Sequence, residues 1–149
     1  MAETSSSNRF EGLTNPIPRQ KLVSIDAEAS PRLPTGIDEL DRVLGGGLVP
    51  GGVVLLGGDP GIGKSTLLLQ ALAQLSANGV DVLYSSGEES AAQIALRANR
   101  IHLNAPQLEV LAEIQLEKLL LYVEAAKPQV LVVDSIQTLY SDAFSSAPG

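Results

Sequence analysis

Cysteine is absent from the 149 residues, which excludes disulfides and thiolate metal sites. Tryptophan is absent too, and aromatics make up 3% of the chain, little for a surface that reads nucleic acid by stacking. No excess of positive charge exists. The formal net charge is −7, so the chain as a whole is not a polycation built for phosphate backbones. No apolar run approaches the roughly 18 residues needed to cross a bilayer. The opening "MAETSSSNRF" lacks the basic start and apolar stretch of a secretory leader. These absences lead us to expect a soluble cytoplasmic protein with no membrane partner.

What is present suits one modest globular domain, with 44% hydrophobic residues. Residues 1–33 are polar and broken by Pro16, Pro18 and Pro31, and they read as a flexible extension or linker. Within them Lys21–Ile25 is a candidate short strand. The ordered domain is expected over 34–149. Thr35 with Asp38 three residues on resembles a capping box, and Ile37, Leu40, Val43 and Leu44 share a helical face. Gly45–Gly47 would end that helix, and Pro50-Gly51 marks a turn. The apolar run Val53–Leu56 reads as a strand.

Further on, Lys64 to about Asn78 has Leu68, Leu72 and Leu75 at helical spacing, with Gly79 as a stop. Asp81–Ser85 and Val130–Val133 read as strands, and Leu108–Leu111 as a short one. Ser90–Arg100 is a helix with Ala91, Ile94, Ala95 and Ala98 in register. Gln115–Lys127 is another, with Leu116, Leu119, Leu120 and Val123 on one stripe. Strands alternating with helices predict an α/β fold, its sheet mainly parallel and flanked by helices.

Ligands of such sheets bind at the carboxyl ends of the strands. There stands "GGDPGIGKST", Gly57–Thr66, which fits G-x-x-x-x-G-K-[ST] as Gly58, Gly63, Lys64 and Ser65. Glycines let the backbone curl until successive N–H groups face inward, and the loop runs into a helix amino end that favours an anion. Gly58, Asp59, Pro60, Gly61, Ile62 and Gly63 would form the phosphate cradle. Lys64 would face the β and γ phosphates, and Thr66 the α phosphate. Ser65 would ligate Mg²⁺, a hard cation. A glycine-rich turn with an incidental lysine would match by chance in on the order of one in several hundred chains of this length.

Asp134 ends "VLVVD" at the same sheet edge and is the candidate second metal residue; the bland alternative is a cap or turn aspartate. "GEES", Gly87–Ser90, follows another strand. Glu88, nearer the strand end, is the candidate general base for a water attacking the γ phosphate. Glu89 either assists or serves the amino end of the next helix. His102, the single histidine, is expected at the surface or in packing; Arg97 and Arg100 are expected in solvent, and Tyr140 in packing.

Together, "RLPTGIDELDRVLGGGLVPGG", "GGDPGIGKSTLLLQ", "YSSGEESAAQIALRA" and "VLVVDSIQTLY" resemble the bacterial RadA (Sms) family of RecA-like ATPases. KaiC-like and replicative-helicase-like ATPases share the architecture but match these strings less closely. The resemblance spans roughly Pro31 to Gly149. It implies a RecA-like P-loop core, ATP and Mg²⁺ as ligands, Asp134 holding magnesium through water, and Glu88 with Lys64 as catalytic residues. It also implies hexameric rings that bind single-stranded or branched DNA in recombinational repair. That family carries a four-cysteine zinc module, a K-N-R-F-G motif and a Lon-protease-like domain, none of which stands in these residues. RecA-like cores also set a later strand between the P-loop strand and the Asp134 strand. The expectation is therefore an amino-terminal, truncated portion of such a core, unstable or inactive by itself. A nucleotide-binding module without turnover is the alternative. A small-molecule kinase is disfavoured, because Arg9, Arg19, Arg32, Arg42, Arg97 and Arg100 form no lid-like cluster.

Overall fold

The computed structural model describes residues 18–24 and 30–143. The chain divides into two units, Met1–Ser30 and Pro31–Gly149. In the first, residues 22–24 form a single 3₁₀ turn, closed by the Ser24 N–H donating to the Lys21 carbonyl at 2.9 Å. This replaces the strand expected over Lys21–Ile25, of which Ile25 lies outside the described residues. Leu22 and Val23 are exposed. With no strand pairing it among the described residues, so short a segment closes a local turn instead.

The second unit opens with a backbone clasp. Leu33 and Leu48 exchange N–H···O bonds of 2.8 Å in an isolated antiparallel bridge. The clasp explains Gly47: a Cβ there would lie 2.3 Å from the Leu33 carbonyl oxygen. Helix α1 covers Asp38–Val43 and has no side-chain cap. The expected capping box is replaced by a longer reach. The buried Thr35 donates its N–H and its hydroxyl to Asp41 Oδ1, at 2.8 and 2.7 Å, and Gly36 N–H donates to Oδ2 at 3.3 Å. Asp38 is too early in the helix to serve a threonine three residues before it here, because Ile37 occupies the cap position. Partial burial pushes the Asp41 carboxyl up. The three bonds from Thr35 and Gly36 together outweigh it and hold the group below its ordinary value.

Next come α2 (Lys64–Ala77), β1 (Val82–Ser86), α3 (Ala91–Arg100), β2 (Leu108–Leu111), α4 (Leu116–Ala126) and β3 (Val130–Asp134). The strands form one parallel sheet in the order β2-β1-β3. The middle strand is buried at all five positions. One face of α2 presents Leu69, Leu72 and Leu75 to Val82 and Tyr84 of β1, and Val80 and Ile94 complete the cluster. Each buried leucine contributes about 1.5–3 kcal/mol relative to exposure. Leu68 packs at the margin of this cluster. On α3 only Ile94 is buried, and on α4 only Leu119, while Leu120 stays about half exposed.

Val53–Leu56 does not form the expected strand. It belongs to no sheet, and its side chains are 96%, 53%, 84% and 36% exposed in order. The reason is the lack of a partner. β1 has both edges paired, β3 is paired with β1 alone, and among the described residues no strand pairs with Val53–Leu56. A lone extended segment leaves its backbone groups to water and gains nothing from the sheet.

Candidate functional site

The phosphate-loop candidate starts from that unpaired run. Its backbone turns at Asp59–Ile62, where Ile62 N–H donates to the Asp59 carbonyl at 3.3 Å. Gly61 and Gly63 have φ of 79° and 101°, which side-chain-bearing residues rarely adopt. Gly63 is the N-cap of α2, so Lys64, Ser65 and Thr66 are its first turn. No side chain caps this helix, so its leading amides remain free for an anion. The Lys64 ammonium folds back over the loop and donates to the carbonyls of Gly58 at 2.5 Å and Asp59 at 2.8 Å. Gly58 leaves room for this: a Cβ there would lie 3.4 Å from Lys64 Cδ.

Asp134, the last residue of β3, meets the first turn of α2. Ser65 Oγ donates to Asp134 Oδ2 at 2.5 Å, across 69 residues of sequence. Sequence reasoning missed a third member, Tyr84 of β1, whose hydroxyl donates to the same oxygen at 2.5 Å. Burial, reinforced by that bond to a carboxylate, pushes the phenol far above its ordinary pKa, so it stays protonated at neutral pH. The signal was available in the strands themselves. Tyr84 pairs with Val132 and Ser86 with Asp134, so a tyrosine two residues before the edge has the length to reach the terminal carboxylate.

The two glutamates separate. Glu88 is exposed, and Ser135 Oγ donates to its Oε1 at 2.9 Å. Glu89 is held on the other side by Arg97, and its N–H donates to Ser86 Oγ at 3.0 Å. Arg97, expected in solvent, is therefore an ion-pair partner. Ser90 caps α3 through a reciprocal pair: Gln93 N–H donates to Ser90 Oγ at 3.3 Å, and Ser90 N–H to Gln93 Oε1 at 2.9 Å. Gly87 N–H donates to the Asp134 carbonyl at 3.0 Å, which ties the two acidic segments together. His102 is exposed, and so is Arg100. Tyr140, expected in packing, is 49% exposed, although its backbone bonds Ile114 and Leu116.

These residues suit a magnesium nucleotide. Among the described residues no three acidic or histidine side chains converge on one point. A metal would receive the Ser65 hydroxyl and, through water, the Asp134 carboxylate. Mg²⁺, which sheds water reluctantly and shares its ligands with phosphates, fits so sparse a set. Among the described residues Lys64 is the one cation bonded to the loop, whereas the Asp134 carboxylate stands against its helix at Ser65. A triphosphate needs more positive charge than one ammonium supplies.

A protein-family model described as "ATPase: KaiC" matches residues 33–120. The DNA repair protein RadA of Bacillus subtilis (strain 168) is 52% identical over 128 residues, which cover 86% of this chain and 28% of that protein. RadA of Escherichia coli (strain K12) is 48% identical over 130 residues, 87% of this chain and 28% of that protein. RadA of Haemophilus influenzae (strain ATCC 51907 / DSM 11121 / KW20 / Rd) is 45% identical over 147 residues, 97% of this chain and 32% of that protein. The chain thus spans about a third or less of the length of these relatives.

Proposed function

We propose, for a chain that belongs to the KaiC-type ATPase family, that it is the nucleotide-binding part of a RadA-like protein that hydrolyses ATP in DNA repair and recombination. The observation that carries the reading is the bond between Ser65 and Asp134, which joins the phosphate-loop helix to the acidic end of β3. Gly58–Thr66 cradles the triphosphate with backbone amides. Lys64 leaves its two carbonyl partners for the β and γ phosphates. Ser65 and Asp134 hold Mg²⁺, which when bound spreads the charge developing on the phosphate oxygens. Glu88, fixed by Ser135 and ion-paired with no cation among the described residues, takes a proton from the attacking water.

The whole protein acts on single-stranded or branched DNA in the cytoplasm as a homo-hexamer, a reading that rests on the named relatives and the resemblance of the motifs. Among the described residues no helix is long and apolar enough to cross a membrane. The test is ATP turnover by the full-length protein. Lys64→Ala should lower it by about 10²–10³-fold, the range for removing one preorganised charge donor. Turnover unchanged by Lys64→Ala would overturn the assignment.

A second reading applies to the 149 residues by themselves: nucleotide binding without turnover. The exposure of Val53–Leu56, directly before the loop, favours it, because the loop then lacks a fixed support on one side. Robust phosphate release by the isolated chain would exclude it.

A further inference from the structure

We propose that Tyr84 is a positioning residue of the metal site, holding the Asp134 carboxylate so that its free oxygen faces the cation's water shell. The inference rests on the reading of Asp134 given above and adds a residue to it. Asp134 Oδ2 receives two donors, Ser65 Oγ and Tyr84 OH, each at 2.5 Å. Oδ1 receives none from the described residues, so the pair of donors fixes which oxygen is left for metal-bound water.

The two donors differ in how they are held. Ser65 turns about one torsion on the first turn of a helix, and its oxygen is needed by the metal itself. Tyr84 is 1% exposed, and its ring belongs to the cluster of Leu69, Leu72, Leu75, Val82 and Ile94. It sits on the strand paired on both edges. Packing fixes the ring, and the ring fixes the hydroxyl. When Ser65 turns its lone pair to a cation, the phenol still grips Oδ2. A tyrosine that merely satisfied its own buried hydroxyl would leave metal affinity unchanged.

The experiment measures Mn²⁺ binding to the ADP-bound, full-length protein by loss of the free-ion paramagnetic signal. Tyr84→Phe keeps the ring and removes the donor. It should raise the apparent Mn²⁺ dissociation constant by about 10–100-fold, the range for lost outer-shell partners, with ADP affinity in EDTA unchanged. An unchanged Mn²⁺ affinity in Tyr84→Phe, beside a large loss in Asp134→Asn, would overturn the proposal and leave the metal assignment standing. No loss in Asp134→Asn would remove the metal assignment and this proposal with it. A second measurement compares proteins with and without the Tyr84 hydroxyl. The ultraviolet difference spectrum on adding Mg²⁺ to the ADP-bound, full-length protein is taken for wild type and for Tyr84→Phe, and the difference between the two belongs to Tyr84. It should contain a shifted tyrosine band. A band that stays put would count against the proposal.

Discussion

Val53–Leu56 is apolar at every position and Val82–Ser86 ends in two serines, and each leads into a glycine-containing loop of the candidate site. One is 36–96% exposed along its length; the other is 0–3% exposed. Hydrophobicity does not separate them. Partners do: Val82–Ser86 has β2 on one edge and β3 on the other, and α2 covers Val82 and Tyr84. The comparison teaches that a strand is a property of its neighbours. The candidate site residues sort in the same way. Tyr84 and Asp134 are held by paired strands, whereas the loop of Gly58–Gly63 hangs from the unpaired run.

The comparison breaks most readily at the paired strand. Leu83→Ala should destabilise the 149-residue chain by about 2–5 kcal/mol, read as a lower urea midpoint. Next is the rung that joins the acidic segments. A Cβ on Gly87 would lie 1.9 Å from Thr138 Oγ1 and 2.6 Å from its Cβ. Gly87→Ala should therefore cost about 1–3 kcal/mol, and Thr138→Ala, which removes Oγ1 but keeps the Cβ, should relieve it in part.

A smaller effect is expected at the lead-in. Asp41→Asn should cost about 1 kcal/mol at neutral pH, the low side for bonds to a partly exposed charge. Its pH dependence has a definite sign. Because the folded carboxyl is held below its ordinary value, its contribution is complete above the unfolded pKa and fades as pH falls through the folded one. The stability gap between wild type and Asp41→Asn should thus close below about pH 4. The smallest effect sharpens the contrast from the other side. Leu55→Ala should stay within about 0.5 kcal/mol in the same chain, since its side chain is already in water. A loss as large as that of Leu83→Ala would mean that the run is packed after all.

Features with a local period were legible in the sequence. The leucine stripe of Lys64–Ala77 found its helix, and the G-x-x-x-x-G-K-[ST] spacing located the loop and the helix start at Lys64. The strand ending in Asp134 and the two other strands of its parallel sheet also emerged as read. Contacts between distant segments were not legible. Asp41, not Asp38, answers Thr35, because the chain loops back through Gly36 and Ile37 before the helix begins. Arg97 reaches Glu89 across the cap of α3, where spacing alone suggested solvent. The strand assigned to Val53–Leu56 failed because a sequence run carries no information about which backbone will bond to it.

The flush ending of β1 and β3, Ser86 opposite Asp134 with Gly87 bonded to the Asp134 carbonyl, reaches beyond chemistry. A slip of β3 by one position would turn Asp134 to the opposite face of the sheet and part Ser135 from Glu88. If the proposed function holds, misthreaded molecules of the full-length protein would be silent rather than sluggish. In a heterogeneous preparation of the full-length protein, its ATP turnover would then count the correctly threaded molecules, much as a titrant counts active sites.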